Sequence, residues 1–161
     1  MLNKLEIEEF FARFAKANPN PRGELDYINP YTLLVAVALS AQATDKGVNK
    51  ATAPLFRAVT TPEKMVALGE EKLADAVKTI GLYRGKAKNV IALSQILIEQ
   101  HGGKVPKDRE ALEALPGVGR KTANVVLNVA FGEPTIGWIP ISFASPTAPI
   151  WRRAGMWWKW S

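Results

Sequence analysis

The sequence predicts an all-α protein: a helical bundle that contains a helix–hairpin–helix and is followed by an irregular tail. Apolar residues recur at helical spacing along nearly the whole chain, and no sustained run alternates apolar with polar as a half-buried strand does. Helix punctuation separates the periodic runs, with Asn29-Pro30, Thr61-Pro62 and Asp108 as starts and Gly102-Gly103 as a stop. At 161 residues the chain suits one domain with a sizeable core.

Taken in order, Leu5, Phe10, Phe11 and Phe14 describe a first helix that ends before Asn18-Pro19-Asn20-Pro21. Asn29 reads as an N-cap and Pro30 as a first-turn proline, opening a helix over 31–42. Asp45 is placed to cap the next, toward Arg57. Thr61-Pro62-Glu63 starts a short helix and 70–80 forms another, closed by Gly81. A long amphipathic helix runs over 84–101, stopped by Gly102-Gly103. Asp108 caps a short helix to Leu115, Pro116-Gly117-Val118-Gly119 turns the chain, and 120–131 is helical again. No internal repeat or low-complexity stretch interrupts this order.

The densest chemistry lies in Leu115-Pro116-Gly117-Val118-Gly119-Arg120-Lys121-Thr122-Ala123-Asn124. A short helix, a glycine hairpin and a second helix gather backbone N–H groups at one exposed helix N-terminus, which holds a phosphate oxygen without reading sequence. Gly117 and Gly119 allow unusual torsions and close approach, and Leu115 and Val118 can pin the hairpin to the core. A plain glycine turn is the bland alternative. The helices on both sides and the basic pair after the turn favour DNA binding. Arg120 and Lys121 sit in a first turn, where the helix dipole disfavours a cation by roughly 0.3–1 kcal/mol. A phosphate backbone would offset this for Arg120. For Lys121 the dipole and the adjacent guanidinium favour the neutral amine that nucleophilic attack requires, although one more solvated or phosphate-binding lysine fits the spacing equally well.

Composition narrows the field. The balance of 21 Lys+Arg against 15 Asp+Glu gives a net charge of +6 and a pI near 9.7, which favours a polyanionic partner. With no Cys, disulfides, thiolate metal sites and iron–sulfur clusters are excluded from these residues, and His101 alone cannot make a histidine zinc site. The N-terminus, Met1-Leu2-Asn3-Lys4-Leu5-Glu6, lacks the apolar run of a signal peptide or membrane span, so a cytoplasmic, nucleoid-associated location is expected.

The segment from Leu115 through Asn128 resembles the active-site hairpin and helix of the endonuclease III family, which are helix–hairpin–helix DNA glycosylases with abasic-site lyase activity. Leu39-Ser40-Ala41-Gln42-Ala43-Thr44-Asp45 and Thr79-Ile80-Gly81-Leu82-Tyr83 resemble two further segments of that family, in the same order. The resemblance implies that Lys121 attacks C1′ of a damaged pyrimidine nucleotide, the base leaves, a Schiff base forms, and β-elimination nicks the strand 3′ to the lesion. It assigns Gln42 and Leu82, with Ile80 nearby, to the wedge that fills the hole left by an extruded nucleotide. Read without it, Gln42 is a polar residue at a helix end and Leu82 an ordinary loop leucine. Lys86 and Lys88 fit either phosphate contacts or a solvated basic face. The implied partner is double-stranded DNA with damaged pyrimidines or abasic sites, bound by a monomer, with no membrane involved. The alternative from another class is a non-catalytic helix–hairpin–helix DNA-binding module.

After about Ile136 the composition changes. All five tryptophans lie from Trp138 to Trp160, the last acidic residue is Glu133, and Pro140, Pro146 and Pro149 interrupt any helix. The family continues beyond the equivalent of Pro134-Thr135-Ile136 with a segment carrying a second catalytic group, an aspartate, and ends in a Cys-ligated iron–sulfur domain; here Gly137-Trp138-Ile139 follows. Back-translated and read one nucleotide earlier, the last base of the Trp138 codon and the first two of Ile139 force GAT, an aspartate codon. The same shift turns Met156-Trp157-Trp158-Lys159-Trp160 into Val-Val-Glu followed by Met or Val. Residues 137–161 are therefore read as an out-of-frame translation, which the nucleotide sequence around codons 136–138 decides. The competing reading is a genuine Trp/Arg-rich tail that binds membranes or DNA.

On this reading residues 1–19 are an N-terminal helix that the resemblance packs against the absent iron–sulfur domain, leaving the face of Leu5, Phe10 and Phe14 uncovered. Residues 20–136 are the helical glycosylase core, and 137–161 the aberrant tail. Without the aspartate, base removal is expected to be severely impaired, with the lyase reaction on an abasic site surviving through Lys121. No cofactor is expected in this chain, because the family's 4Fe-4S cluster needs cysteines.

Overall fold

The computed structural model describes residues 3–17, 19 and 23–135, and among them all regular structure is helical. In chain order the helices are α1 (Lys4–Ala17), α2 (Pro30–Ser40), α3 (Asp45–Ala58), α4 (Pro62–Leu68), α5 (Glu70–Ala76), α6 (Tyr83–His101), α7 (Arg109–Glu113) and α8 (Arg120–Phe131). The expected out-of-frame tail, 137–161, lies outside the described residues.

The chain divides between Gly23 and Glu24. On the N-terminal side, α1 opens with Asn3 and Glu6 capping each other's amides at 2.7 and 2.9 Å. Its Phe10 and Phe11 rings meet edge to face at 5.7 Å, and Leu5 is 75% exposed. The side chain of Phe14 lies outside the described residues.

From Glu24 onward the fold is organised by α2. Its sequence is apolar all round, so no face of it tolerates water, and Tyr31 through Leu39 are all buried. α3, α6 and α8 pack around it, α4 and α5 close over α6, and α7 lies on α8. Inside this core the Tyr31 hydroxyl meets Ser94 Oγ at 2.6 Å, and Ser94 in turn donates to the Val90 carbonyl, so the buried polar pair is satisfied. Burial pushes the Tyr31 phenol far up.

The start of α2 follows from local chemistry. Asn29 Oδ1 accepts from the Thr32 amide and Thr32 Oγ1 from the Asn29 amide, both at 2.9 Å, a reciprocal capping box with Pro30 in the first turn. The Asn29 side-chain amide also donates to the Thr60 carbonyl at 2.9 Å, which ties the cap to the α3–α4 connection. Asn29→Ala removes both, and an expected loss of about 1–2 kcal/mol is to be read by denaturant unfolding.

Three expectations are corrected. Thr44, not Asp45, caps α3: its Oγ1 accepts from the Gly47 amide at 3.2 Å, and Asp45 is the first helical residue, where its charge complements the dipole. The helix expected over 70–80 ends at Ala76, and Val77 and Ile80 reach the core beyond it. They do so through a tight turn in which the Ile80 amide donates to the Val77 carbonyl at 2.9 Å. Gly81 does not close the helix: Val77 is its C-cap (φ −106°), and the left-handed residue of this stretch is Leu82 (φ 59°), which precedes α6.

Candidate functional site

The hairpin joins α7 to α8 through residues 114–119. Asp108 caps α7 by accepting from the Ala111 amide at 2.8 Å, and Leu115 and Val118, 2% and 5% exposed, anchor the turn in the core. The Val118 amide donates to the Leu115 carbonyl at 3.0 Å. Gly117 takes φ 77°, and a Cβ there would stand 3.0 Å from both Cβ and Nδ2 of Asn89 on α6. Gly117→Ala therefore meets a strained torsion and a clash together. Unfolding should show a loss of about 1–2 kcal/mol, and duplex binding should weaken with it.

The role given to Gly119 changes. It is the N-cap of α8 in an extended conformation (φ −96°), so no unusual torsion requires glycine. The packing does not require glycine either, since no atom stands within 4 Å of where its Cβ would be. With no side chain to cap the helix, the first-turn amides of α8 are left for an incoming acceptor. Arg120 and Lys121, both exposed, stand in that first turn. Past α8 the chain turns back: Asn128 Nδ2 donates to the Glu133 carbonyl at 2.9 Å, and Thr135 Oγ1 to the Asn124 carbonyl at 2.6 Å. Residue 135 thus lies beside the helix turn that follows Lys121.

The second part of the site is a cleft of about 640 Å³ lined by Ala41, Gln42, Leu82–Lys86 and Asn89. Among the described residues Gln42 (φ 56°) and Leu82 (φ 59°) are the non-glycine residues in left-handed conformation. Such torsions cost roughly 1–3 kcal/mol each and persist where the surroundings enforce them, often at functional positions. Leu82 is 71% exposed, an apolar side chain held out toward solvent. Ile80, expected beside these two as a contact residue, is instead 4% exposed and packed in the core. Its side chain supports the loop from beneath.

Of the basic residues after the loop, Lys88 is exposed, whereas Lys86 is half-buried and its head group is engaged within the fold. Its ammonium donates to the Leu39 carbonyl at 3.0 Å, and burial pushes the amine down. Two cleft residues escaped the sequence reading. Arg84 lies over the Tyr83 ring at 5.8 Å and donates to its hydroxyl, and Asn89 touches both the hairpin and the cleft. The spacing of Leu82, Lys86 and Asn89 along one helical face was the available signal. The structure joins Gln42 and Leu82 at this cleft; Arg120 and Lys121 do not line it.

A glycine hairpin between helices, an uncapped helix N-terminus and an exposed lysine in its first turn define the class, and residues 35–139 match the family described as HhH-GPD superfamily base excision DNA repair protein. The chain belongs to that superfamily. It is 58% identical to endonuclease III of Escherichia coli strain K12 over 135 residues, covering 84% of this chain and 64% of that protein. Against endonuclease III of Haemophilus influenzae strain Rd the identity is 57%, again over 84% of this chain and 64% of the relative. A solved structure of a trapped endonuclease III–DNA covalent intermediate, an estranged-adenine complex, superposes with a TM-score of 0.78 at 48% identity, over 87% of this chain and 66% of that one. The chain thus spans slightly less than two thirds of these relatives. No helix among the described residues is long and apolar enough to cross a membrane.

Proposed function

We propose that this chain acts in DNA base-excision repair as an N-glycosylase for damaged pyrimidines with an associated abasic-site lyase activity. The observation that carries the reading is Lys121, exposed in the uncapped first turn of α8, in a chain 58% identical over 135 residues to endonuclease III of Escherichia coli strain K12. The α8 amides and Arg120 hold the phosphate backbone of double-stranded DNA, and Gln42 and Leu82 enter the stack where a nucleotide is extruded. Leu115 and Val118 serve this from the core, by fixing Gly117 and Gly119 in place.

The chemistry is balanced without an oxidant or reductant. The Lys121 amine forms a bond to C1′ as the C1′–base bond breaks, and the C1′–O4′ bond then opens with a proton going to O4′. At an abasic site the amine adds to the C1′ aldehyde instead, and that oxygen leaves as water, so both routes give a Schiff base. The resulting Schiff base acidifies the C2′ proton, and its loss expels the 3′ phosphate. Expelling a base calls for a carboxylate beside the developing oxocarbenium, which Gly137-Trp138-Ile139 do not supply. An abasic site has no base to expel, so it is the substrate on which this chain's activity is to be read.

With no Cys in 161 residues, the chain has no thiolates for the family's iron–sulfur cluster, and no step proposed above involves one. The protein is proposed to work as a monomer in the cytoplasm, at the nucleoid. Borohydride trapping on a duplex with a single abasic site tests the reading. A covalent adduct supports the enzyme, and salt-dependent binding with no adduct indicates a non-catalytic DNA-binding module.

A further inference from the structure

We propose that Lys86 is a positioning residue that holds the two wedge residues, Gln42 and Leu82, at a fixed separation across the cleft. The role rests on the repair function proposed above. Lys86 is bonded to both sides at once. Its backbone amide donates to the Leu82 carbonyl at 3.1 Å, closing the first turn of α6 onto the left-handed residue that precedes it. Its ammonium donates to the Leu39 carbonyl at 3.0 Å, across 47 residues of sequence. Leu39 lies in the last turn of α2, where carbonyls run out of intrahelical partners and a cation complements the dipole. Gln42 follows three residues later, in its own left-handed turn.

The arrangement solves a mechanical problem. Two side chains that push into a base stack from separate helix ends are displaced unless those ends are tied together. The Leu82 carbonyl is held directly by the Lys86 amide, and the Leu39 carbonyl, three residues before Gln42, by the Lys86 ammonium. One ammonium N–H is engaged by the Leu39 carbonyl, which turns the head group toward the end of α2, so the role proposed for Lys86 lies in the lesion step and not in general attraction to the duplex. Farther along the same helical face, Asn89 packs against Gly117, so the tie sits between the wedge and the hairpin.

The test compares the full chain with K86M, which keeps the stem and loses the charge, and with K86R, which keeps a donor. Amide hydrogen exchange over residues 41–43 and 80–83 reads the tie without DNA, and fluorescence-anisotropy binding to abasic and intact duplexes reads its use. K86M is expected to raise exchange in those two segments by about tenfold while α8 stays protected. Its preference for abasic over intact duplex should fall by about tenfold, with intact-duplex affinity and salt slope unchanged, and K86R should restore most of that preference.

A weaker intact-duplex affinity with a shallower salt slope would assign the ammonium to a phosphate and overturn the proposal. Exchange rising throughout the core, α8 included, would overturn it as ordinary destabilisation; unchanged exchange at 41–43 and 80–83 would also overturn it. If the parent chain itself shows no preference for abasic DNA, the repair function fails instead, and the exchange result still decides whether Lys86 ties the loops.

Discussion

A Lys121→Ala chain is expected to give no borohydride-trapped adduct with abasic-site DNA. The loss should be on the order of 10³-fold or more, because the substitution removes the attacking atom itself. Binding should survive. Lys121 is one exposed cation among several basic groups, and deleting one phosphate-range charge changes duplex affinity by about tenfold or less at moderate salt. Folding should survive too. A lysine in the first turn of α8 opposes the helix dipole by roughly 0.3–1 kcal/mol, so alanine there leaves the melting temperature unchanged or slightly higher. Trapping, anisotropy and thermal melting on the same preparation separate these three effects. An adduct persisting in Lys121→Ala would move the nucleophile to another amine, and a collapse in stability would make Lys121 a structural residue.

The second large effect is expected at Leu82. Glycine there should lower the preference for abasic over intact duplex by about tenfold or more, by removing the apolar wedge from an extruded-nucleotide complex. Stability should barely move, for a reason visible in the backbone. At φ 59° a leucine is strained by about 1–2 kcal/mol, which glycine relieves. Glycine also brings about 0.5–1 kcal/mol of extra chain entropy to the unfolded state. The side chain is 71% exposed, so little burial is lost. The opposing terms leave a net change of about 1 kcal/mol or less, in the stabilising direction, measurable by urea unfolding. A residue that can be deleted at no expense to the fold, yet not to lesion recognition, is one retained for function. Unchanged lesion preference in Leu82→Gly would remove the wedge from the mechanism.

How much of this was legible in the sequence depends on the reach of the interactions involved. Helix starts at Asn29-Pro30, Thr61-Pro62 and Asp108, and the stop at Gly102-Gly103, were readable because a cap bonds groups three residues away. The choice between Thr44 and Asp45 was not, since both are good caps and only the geometry of the preceding loop decides. The end of α5 and the left-handed turn at Leu82 were not legible, since Leu73, Val77 and Ile80 have the spacing of one face of a continued helix. The site divides along the same line. The hairpin is contiguous, so its glycines, its anchors and Lys121 could be named together. The Lys86 ammonium finds a carbonyl 47 residues away, and Asn89 meets Gly117 from a different helix. Both looked like ordinary surface residues until the helices were packed.

The way Gly119 opens α8 has a consequence for how such a protein would find damage. Amides at a helix N-terminus hold one phosphate much as they hold the next, whatever bases lie between. A chain gripping a duplex through them meets nearly the same energy at each base-pair step, so its path along DNA is smooth and it can diffuse in one dimension without lodging on favoured sequences. Under the proposed function, arrest would then come from Gln42 and Leu82 at the cleft, as the residues that test which base pair yields. Travel and stopping would be set by separate parts, so a substitution in the hairpin should change how far the protein slides, and one in the loop how often it halts.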